Sequence, residues 1–298
     1  MLNDLAIVDA HHHLWDLNAC HYPWLMEKGV RRFFGDPAPI QKDYLAADFR
    51  ADIGSLPISK SVHIQVGVAP EDSVRETLWL ESHAEAHGLP SAIIGFADLT
   101  APDLDAQLDA HAQASRFRGV RQIIGRSAEE NAANGSGLLL SNPAFEEGLR
   151  QLAARGLSFD LQLVPTQMAA AAELFARVPE LPVALCHAGS LSRFDDQGFA
   201  LWEDGIRALS ALPNMICKIS GLGMFDNHWT AASARRQFDW IAAHFGPKRM
   251  AFGSNFPVDK LYGDYAAIWQ RFDQLSQGFS AKERAGLFGG TAERFYRI

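Results

Sequence analysis

Three cysteines in 298 residues are too few to staple the chain, and their odd number leaves at least one thiol unpaired. Cys20, Cys186 and Cys217 have neither zinc-finger nor dithiol-redox spacing, so reduced thiols in a cytoplasmic protein are expected. Long apolar runs are also missing. No stretch approaches the roughly 20 residues that span a bilayer, and the first eight residues lack the basic patch and apolar core of a secretory leader. No membrane partner is expected. Positive charge is scarce: 27 Lys and Arg stand against 35 Asp and Glu, a net charge of −8. That balance argues against nucleic acid or an anionic lipid surface as the main partner, while leaving local arginines free to hold a small anion. No internal repeat and no linker interrupt the chain, so residues 1–298 are expected to form one domain.

Hydrophobic residues make up 48% of the sequence and charged residues 21%, enough to build a sizeable core. Short apolar or β-branched runs recur eight times, at Leu5–Asp9, Ser61–Val66, Ala92–Ala97, Arg118–Ile124, Ser158–Leu163, Val183–Cys186, Met215–Ile219 and Met250–Gly253. Several are apolar throughout, the pattern of parallel strands covered on both faces. Helical punctuation lies between them. Asn142-Pro143 opens a segment with Phe145, Leu149 and Leu152 on one face, and Gly156 closes it. Strand and helix alternating to a count of eight predict an α/β fold, the (β/α)₈ TIM barrel, with its site at the carboxyl ends of the strands. An open doubly wound sheet is the competitor, and no glycine-rich phosphate loop follows the first run to support it.

Two connections are long. One carries Trp15, Tyr22, Trp24, Arg31, Arg32, Phe33 and Phe34; the other, residues 126–137, is small and polar. Loops of this length in compact domains are usually functional, and both are expected to overhang the carboxyl end.

The densest chemical signal is Asp9-Ala10-His11-His12-His13. Strand alternation sends His11 and His13 one way and His12 the other, and two imidazoles on one face can chelate a divalent metal or grip a carbonyl oxygen. A histidine-rich turn without a ligand is the competing reading, which placement at a strand end disfavours. His187 follows the sixth run. Arg121 sits inside an apolar run and needs a partner, either a substrate carboxylate or an internal aspartate. Lys218, between apolar neighbours, either contacts substrate or extends toward the barrel's end. His63 with Gln65, and Asp160 with Gln162, are polar pairs two apart that line a mouth or bond internally. The segment 223–230 offers Asp226, His228 and Trp229, suited to a polar ring; a surface turn with Trp229 packed on a helix is the alternative.

Read together, Asp9-Ala10-His11-His12-His13-Leu14-Trp15-Asp16, Tyr22-Pro23-Trp24-Leu25, Phe117-Arg118-Gly119-Val120-Arg121, His187-Ala188-Gly189, Cys217-Lys218-Ile219-Ser220-Gly221 and the closing Phe288-Gly289-Gly290-Thr291-Ala292-Glu293-Arg294-Phe295-Tyr296 span nearly the whole chain. In that order they resemble the amidohydrolase superfamily, in the branch of sugar-acid lactonases that includes fuconolactonase and 2-pyrone-4,6-dicarboxylate lactonase. The resemblance implies that His11, His13 and His187 surround the reacting carbonyl. The branch holds metal-bound and metal-free members. Without a bridging lysine or a second histidine set, two metals are not expected; one divalent ion, zinc first, would take His11, His13 and His187, with Asn255 a poor fourth ligand.

Where the family usually reads Gly-Ser-Asp-Trp-Pro, this chain reads Gly253-Ser254-Asn255-Phe256-Pro257-Val258-Asp259. An amide does not take a proton at neutral pH, although its oxygen can orient water or coordinate a metal. Three explanations stay open: Asp259, Asp226 or Asp160 supplies the base; a metal ion or His187 suffices; or catalysis is lost. The resemblance implies a hydrolase of carbohydrate metabolism that opens the lactone of a sugar-derived or dicarboxylic acid. His11, His13, His187, Asn255 and Asp259 would be catalytic, with Arg121, Lys218, His228, Trp24, Gln65 and Asp226 binding substrate. A metal-dependent decarboxylase and a noncatalytic small-molecule binder are the alternatives. A homo-oligomer is compatible with the sequence.

Overall fold

β-branched and apolar residues concentrate in the eight expected runs, and each becomes a parallel strand: β1 Ile7–His12, β2 Ile58–Ile64, β3 Ala92–Gly95, β4 Phe117–Val120, β5 Ser158–Leu161, β6 Val183–Leu185, β7 Met215–Ile219 and β8 Met250–Phe252. The computed structural model describes residues 2–127, 130–132 and 135–298. The strands pair in sequence order from β1 to β8. Just beyond β8 the seam with β1 is drawn together by two backbone hydrogen bonds. Asn255 N–H donates to the His11 carbonyl at 2.7 Å, and His13 N–H to the Phe256 carbonyl at 2.7 Å. The eight parallel strands with surrounding helices form the (β/α)₈ barrel that the alternation predicts.

The barrel's inner cluster contains Val8, Ala10, Val62, Ile64, Ala92, Ile94 and Ala251, packed with Ala292 and Tyr296 of the last helix, Thr291–Tyr296. Gly289, just before that helix, lies so close to the Ala6 carbonyl that a Cβ would stand 2.7 Å from it. The C-terminal segment therefore closes the barrel at the start of β1, opposite the histidines. The site can be open at only one end.

Two strand boundaries differ from expectation in ways that matter. β1 runs through His12, which is in register with His63, and its pairing shifts between Asp9 and His12. β4 leaves the ladder at Val120, so Arg121 begins the loop, although its N–H still donates to the Gly95 carbonyl at 2.9 Å. The expected functional loop 126–137 lies partly outside the described residues, at 128, 129, 133 and 134. Among the described residues no helix is long and apolar enough to cross a membrane.

Candidate active site

The register shift in β1 decides which way the histidines face. Val8 and Ala10 join the inner cluster, yet His11 also turns inward, its ring 4.5 Å from His187 and 5.1 Å from His13 between centroids. An irregularity between Asp9 and His12 makes both possible. His12 goes the other way and stacks on Phe49 at 4.2 Å. Asp9 pins the seam from behind. Its carboxylate accepts from the backbone N–H of His11 and Ser254, from Ser254 Oγ at 2.6 Å and from the Tyr265 hydroxyl at 2.9 Å. Burial nevertheless lifts the Asp9 carboxyl to about 6, against the lowering effect of these bonds.

His187 and Asn255 take left-handed backbone conformations, with φ of 54° and 58°. Asn tolerates that region better than a β-branched residue would. Room for the His187 imidazole comes from Gly221, where a Cβ would lie 2.4 Å from Nδ1. Ser220 Oγ sits 3.2 Å from that same nitrogen. Burial, then the nearby cations, hold these rings well below the ordinary histidine range: Lys218 foremost at His11, and Arg121 foremost at His13 and His187. All three are neutral imidazoles at physiological pH.

A chain of polar contacts runs outward from His13. Its Nδ1 lies 2.6 Å from the Ile64 carbonyl, an acceptor, which assigns the proton to Nδ1 and the lone pair to Nε2. Nε2 is 3.2 Å from Asn255 Oδ1. Asn255 Nδ2 donates in turn to Asp259 Oδ1 at 2.8 Å, and Asp259 Oδ2 accepts the Gly223 N–H at 3.3 Å. Burial pushes the Asp259 carboxyl up to about 7.

Above these groups lies a concave cavity open to solvent. His13, His187, Asn255, Arg121 and Trp24 line it, as the sequence leads one to expect. Arg121 is buried, held by Gln162 Oε1 at 3.0 Å and by the Gln65 carbonyl. Its Nε has no partner, and among the described residues it forms no ion pair with a carboxylate. Trp24 donates its indole N–H to the Val66 carbonyl at 2.5 Å.

The other expected residues are placed differently. His11 is fully buried against His187, away from the cavity wall. Gln65 props Arg121, donating to its carbonyl at 2.8 Å, and does not line the cavity. Asp259 stands behind Asn255. Lys218 is fully buried inside the barrel against Asp160, which also accepts the Tyr296 hydroxyl at 2.9 Å; a lysine enclosed this way has no free ammonium to offer a ligand. His228 is exposed, and Asp226 is spent on its own turn, accepting the His228 N–H and Ser233 Oγ, each at 3.2 Å. Trp229 packs on Phe272, so this segment is a surface turn. The cavity also recruits Arg32, Phe33, Phe34, Arg126, Glu130 and Met224, which were not singled out as site residues. Their loops' length and aromatic content were the available signal.

The donor set can be tested against a divalent metal. Both ring nitrogens of His11 are buried without a partner, and His13 Nε2 and Asn255 Oδ1 present opposed lone pairs. A cation shared by the two would turn that apposition into two ligands; alternatively, a protonated Asp259 lets the amide turn over and donate to Nε2. Neutral imidazoles are the protonation state a metal requires. Among the described residues no group of three or more His, Cys, Asp or Glu is already drawn together around one ion position. The residues thus fit a metal in chemistry, with some rearrangement needed to hold it.

Comparisons with known proteins agree with this geometry. A protein of Sinorhizobium fredii described as uncharacterised is 41% identical over the full length of both chains. An L-fucono-1,5-lactonase of Burkholderia multivorans is 29% identical, covering 98% of this chain and 96% of the relative. Among solved structures, an amidohydrolase of Burkholderia multivorans with bound zinc superposes with a TM-score of 0.82 at 28% identity, covering 98% of this chain and 99% of that one. The amidohydrolase family model matches residues 8–298, and the chain belongs to that family.

Proposed function

We propose that this amidohydrolase is a lactonase, opening the ring of a sugar-derived or dicarboxylic acid lactone. The observation that carries the reading is a set of neutral buried imidazoles beside an arginine with no carboxylate partner, at the floor of a cavity at the carboxyl end of the barrel. The lactonase relative supports the choice of a cyclic ester over other amidohydrolase substrates.

The chemistry follows from what these groups can hold. Arg121 lines the cavity, and the N–H groups its guanidinium has left over from Gln162 and the Gln65 carbonyl can donate to a carboxylate or hydroxyl of the substrate. Trp24 and Phe34 supply apolar walls for the ring. A water placed beside His187 gives its proton to that neutral imidazole while its oxygen attacks the ring carbonyl. The tetrahedral species then collapses, the C–O ring bond breaks, and the proton passes to the departing ring oxygen, leaving a hydroxy acid. Asn255 orients the water through Oδ1 without taking its proton, and Asp259 fixes that amide. A divalent ion, zinc first, held by His11, His13 and His187, would supply Lewis acidity toward the carbonyl.

The barrel is read as one domain working in a reducing compartment, in keeping with three buried free thiols. Aldonolactones, pyrone lactones and muconolactones assayed with a pH indicator, with and without zinc, test the function. Acid release from at least one is expected. Carbon dioxide release from aromatic acids instead points to a decarboxylase, and thermal stabilisation by ligands with neither product points to a silent binder.

A further inference from the structure

The cavity above the histidines is not isolated. A second one opens beside it over the ends of β5 and β6. Phe33, Arg126 and Met224 line both. These three side chains border both spaces, which lie side by side across them.

The lining of the second indicates what would occupy it. Phe33 and Phe225 lie 5.8 Å apart with their planes 31° from parallel, presenting aromatic surface of the kind on which a sugar ring stacks. Thr166 and Ser192 are exposed on the walls, and neither hydroxyl has a hydrogen bond within the protein among the described contacts. Leu201 is partly exposed, at 44%, on the helix Asp196–Ser210. The cations there are engaged: Arg193 with Asp195 at 2.7 Å and Arg126 with Glu130 at 3.6 Å. A groove of aromatic faces, free hydroxyls and neutralised cations suits an uncharged, polyhydroxylated ring better than a second carboxylate.

Resting on the lactonase reading, we infer that the preferred substrate carries two rings: a lactone in the histidine cavity and a glycosyl substituent in the adjoining one. The chemical class is the lactone of an oxidised disaccharide.

The test compares kcat/KM for a monosaccharide aldonolactone with its glycosylated counterparts, glucono-1,5-lactone against cellobiono-1,5-lactone, maltobiono-1,5-lactone and lactobiono-1,5-lactone. It is run on the wild type and on Thr166→Trp and Leu201→Trp, both at exposed positions, which fill the second cavity. At least one glycosylated lactone should exceed its single-ring partner tenfold or more, through KM, and each tryptophan variant should reduce that ratio at least tenfold. If single-ring lactones are hydrolysed as well as glycosylated ones, or if the variants leave the ratio unchanged, the inference is overturned while the lactonase reading stands. If no lactone of either kind is opened, here or in the wider panel, both fall.

Discussion

Asn255 stands where the resemblance leads one to expect an aspartate. It stands between His13 and Asp259, with its amide orientation set by whichever state Asp259 is in. Ionised Asp259 accepts from Nδ2 and leaves Oδ1 facing the His13 lone pair. An amide at position 259, its oxygen held by the Gly223 N–H, presents its NH₂ to Asn255 and reverses this. Asp259→Asn is therefore expected to turn the Asn255 amide over, aim its NH₂ at His13 Nε2 and block that nitrogen. Zinc titration should show a loss of about 10-fold to 100-fold in affinity, the usual scale for a group that orients a metal ligand; unchanged affinity contradicts the assignment. That His13, His187 and Arg121 meet at one cavity was legible because each is a polar group at the end of an apolar run. The contact between Asp259 and Asn255 was not, since it depends on a turn that folds residue 259 back onto residue 255. Lys218 shows the reverse error: a charge in an apolar strand signals burial as readily as function, and here Asp160 and Tyr296 enclose it.

Among the elements, the eight strands and their order could be read from apolar runs and helix punctuation, and only their ends were misplaced. Those ends matter, because the register shift in β1 carries the histidine pair into the barrel and could not be read from alternation alone. The seam between β1 and β8 was equally hidden, since its partners are 245 residues apart in Asp9 and Ser254. Asp9 accepts four hydrogen bonds there in a fully buried setting. Tyr265→Phe removes one of them and should cost about 1–3 kcal/mol in urea denaturation, the range for depriving a buried polar group of its partner. An unchanged midpoint and slope would mean the seam is held elsewhere. The loop 223–230 fell to the simpler reading because Trp229 finds its partner in Phe272 and Arg271, leaving His228 at the surface.

For the molecule as a whole, stability should depend on pH through groups buried away from the cavity. Burial raises the Glu76 carboxyl from 4.5 to about 8, against the lowering effect of the neighbouring Tyr22 hydroxyl and the Arg121 cation. It stays protonated in the folded chain while the unfolded chain ionises, so its contribution is intact below pH 4.5 and is lost as pH rises through 8. His12 has the opposite sign: held down to about 3 by burial, it stabilises above pH 6.5 and loses that contribution as pH falls toward 3. Glu76→Gln, which cannot ionise, should thus gain stability over the wild type progressively between pH 5 and pH 8 in thermal melts; a constant difference across that window contradicts the account. The central claim is that the imidazoles gathered at the carboxyl end of the barrel perform the chemistry. The direct measurement is the kcat/KM of His11→Ala and His13→Ala on a lactone the wild type opens, with circular dichroism confirming the fold of each. Each variant is expected to lose about 10² to 10³ in rate or more, the scale for removing a group that stabilises the transition state. Wild-type turnover in either folded variant would contradict the assignment of the site.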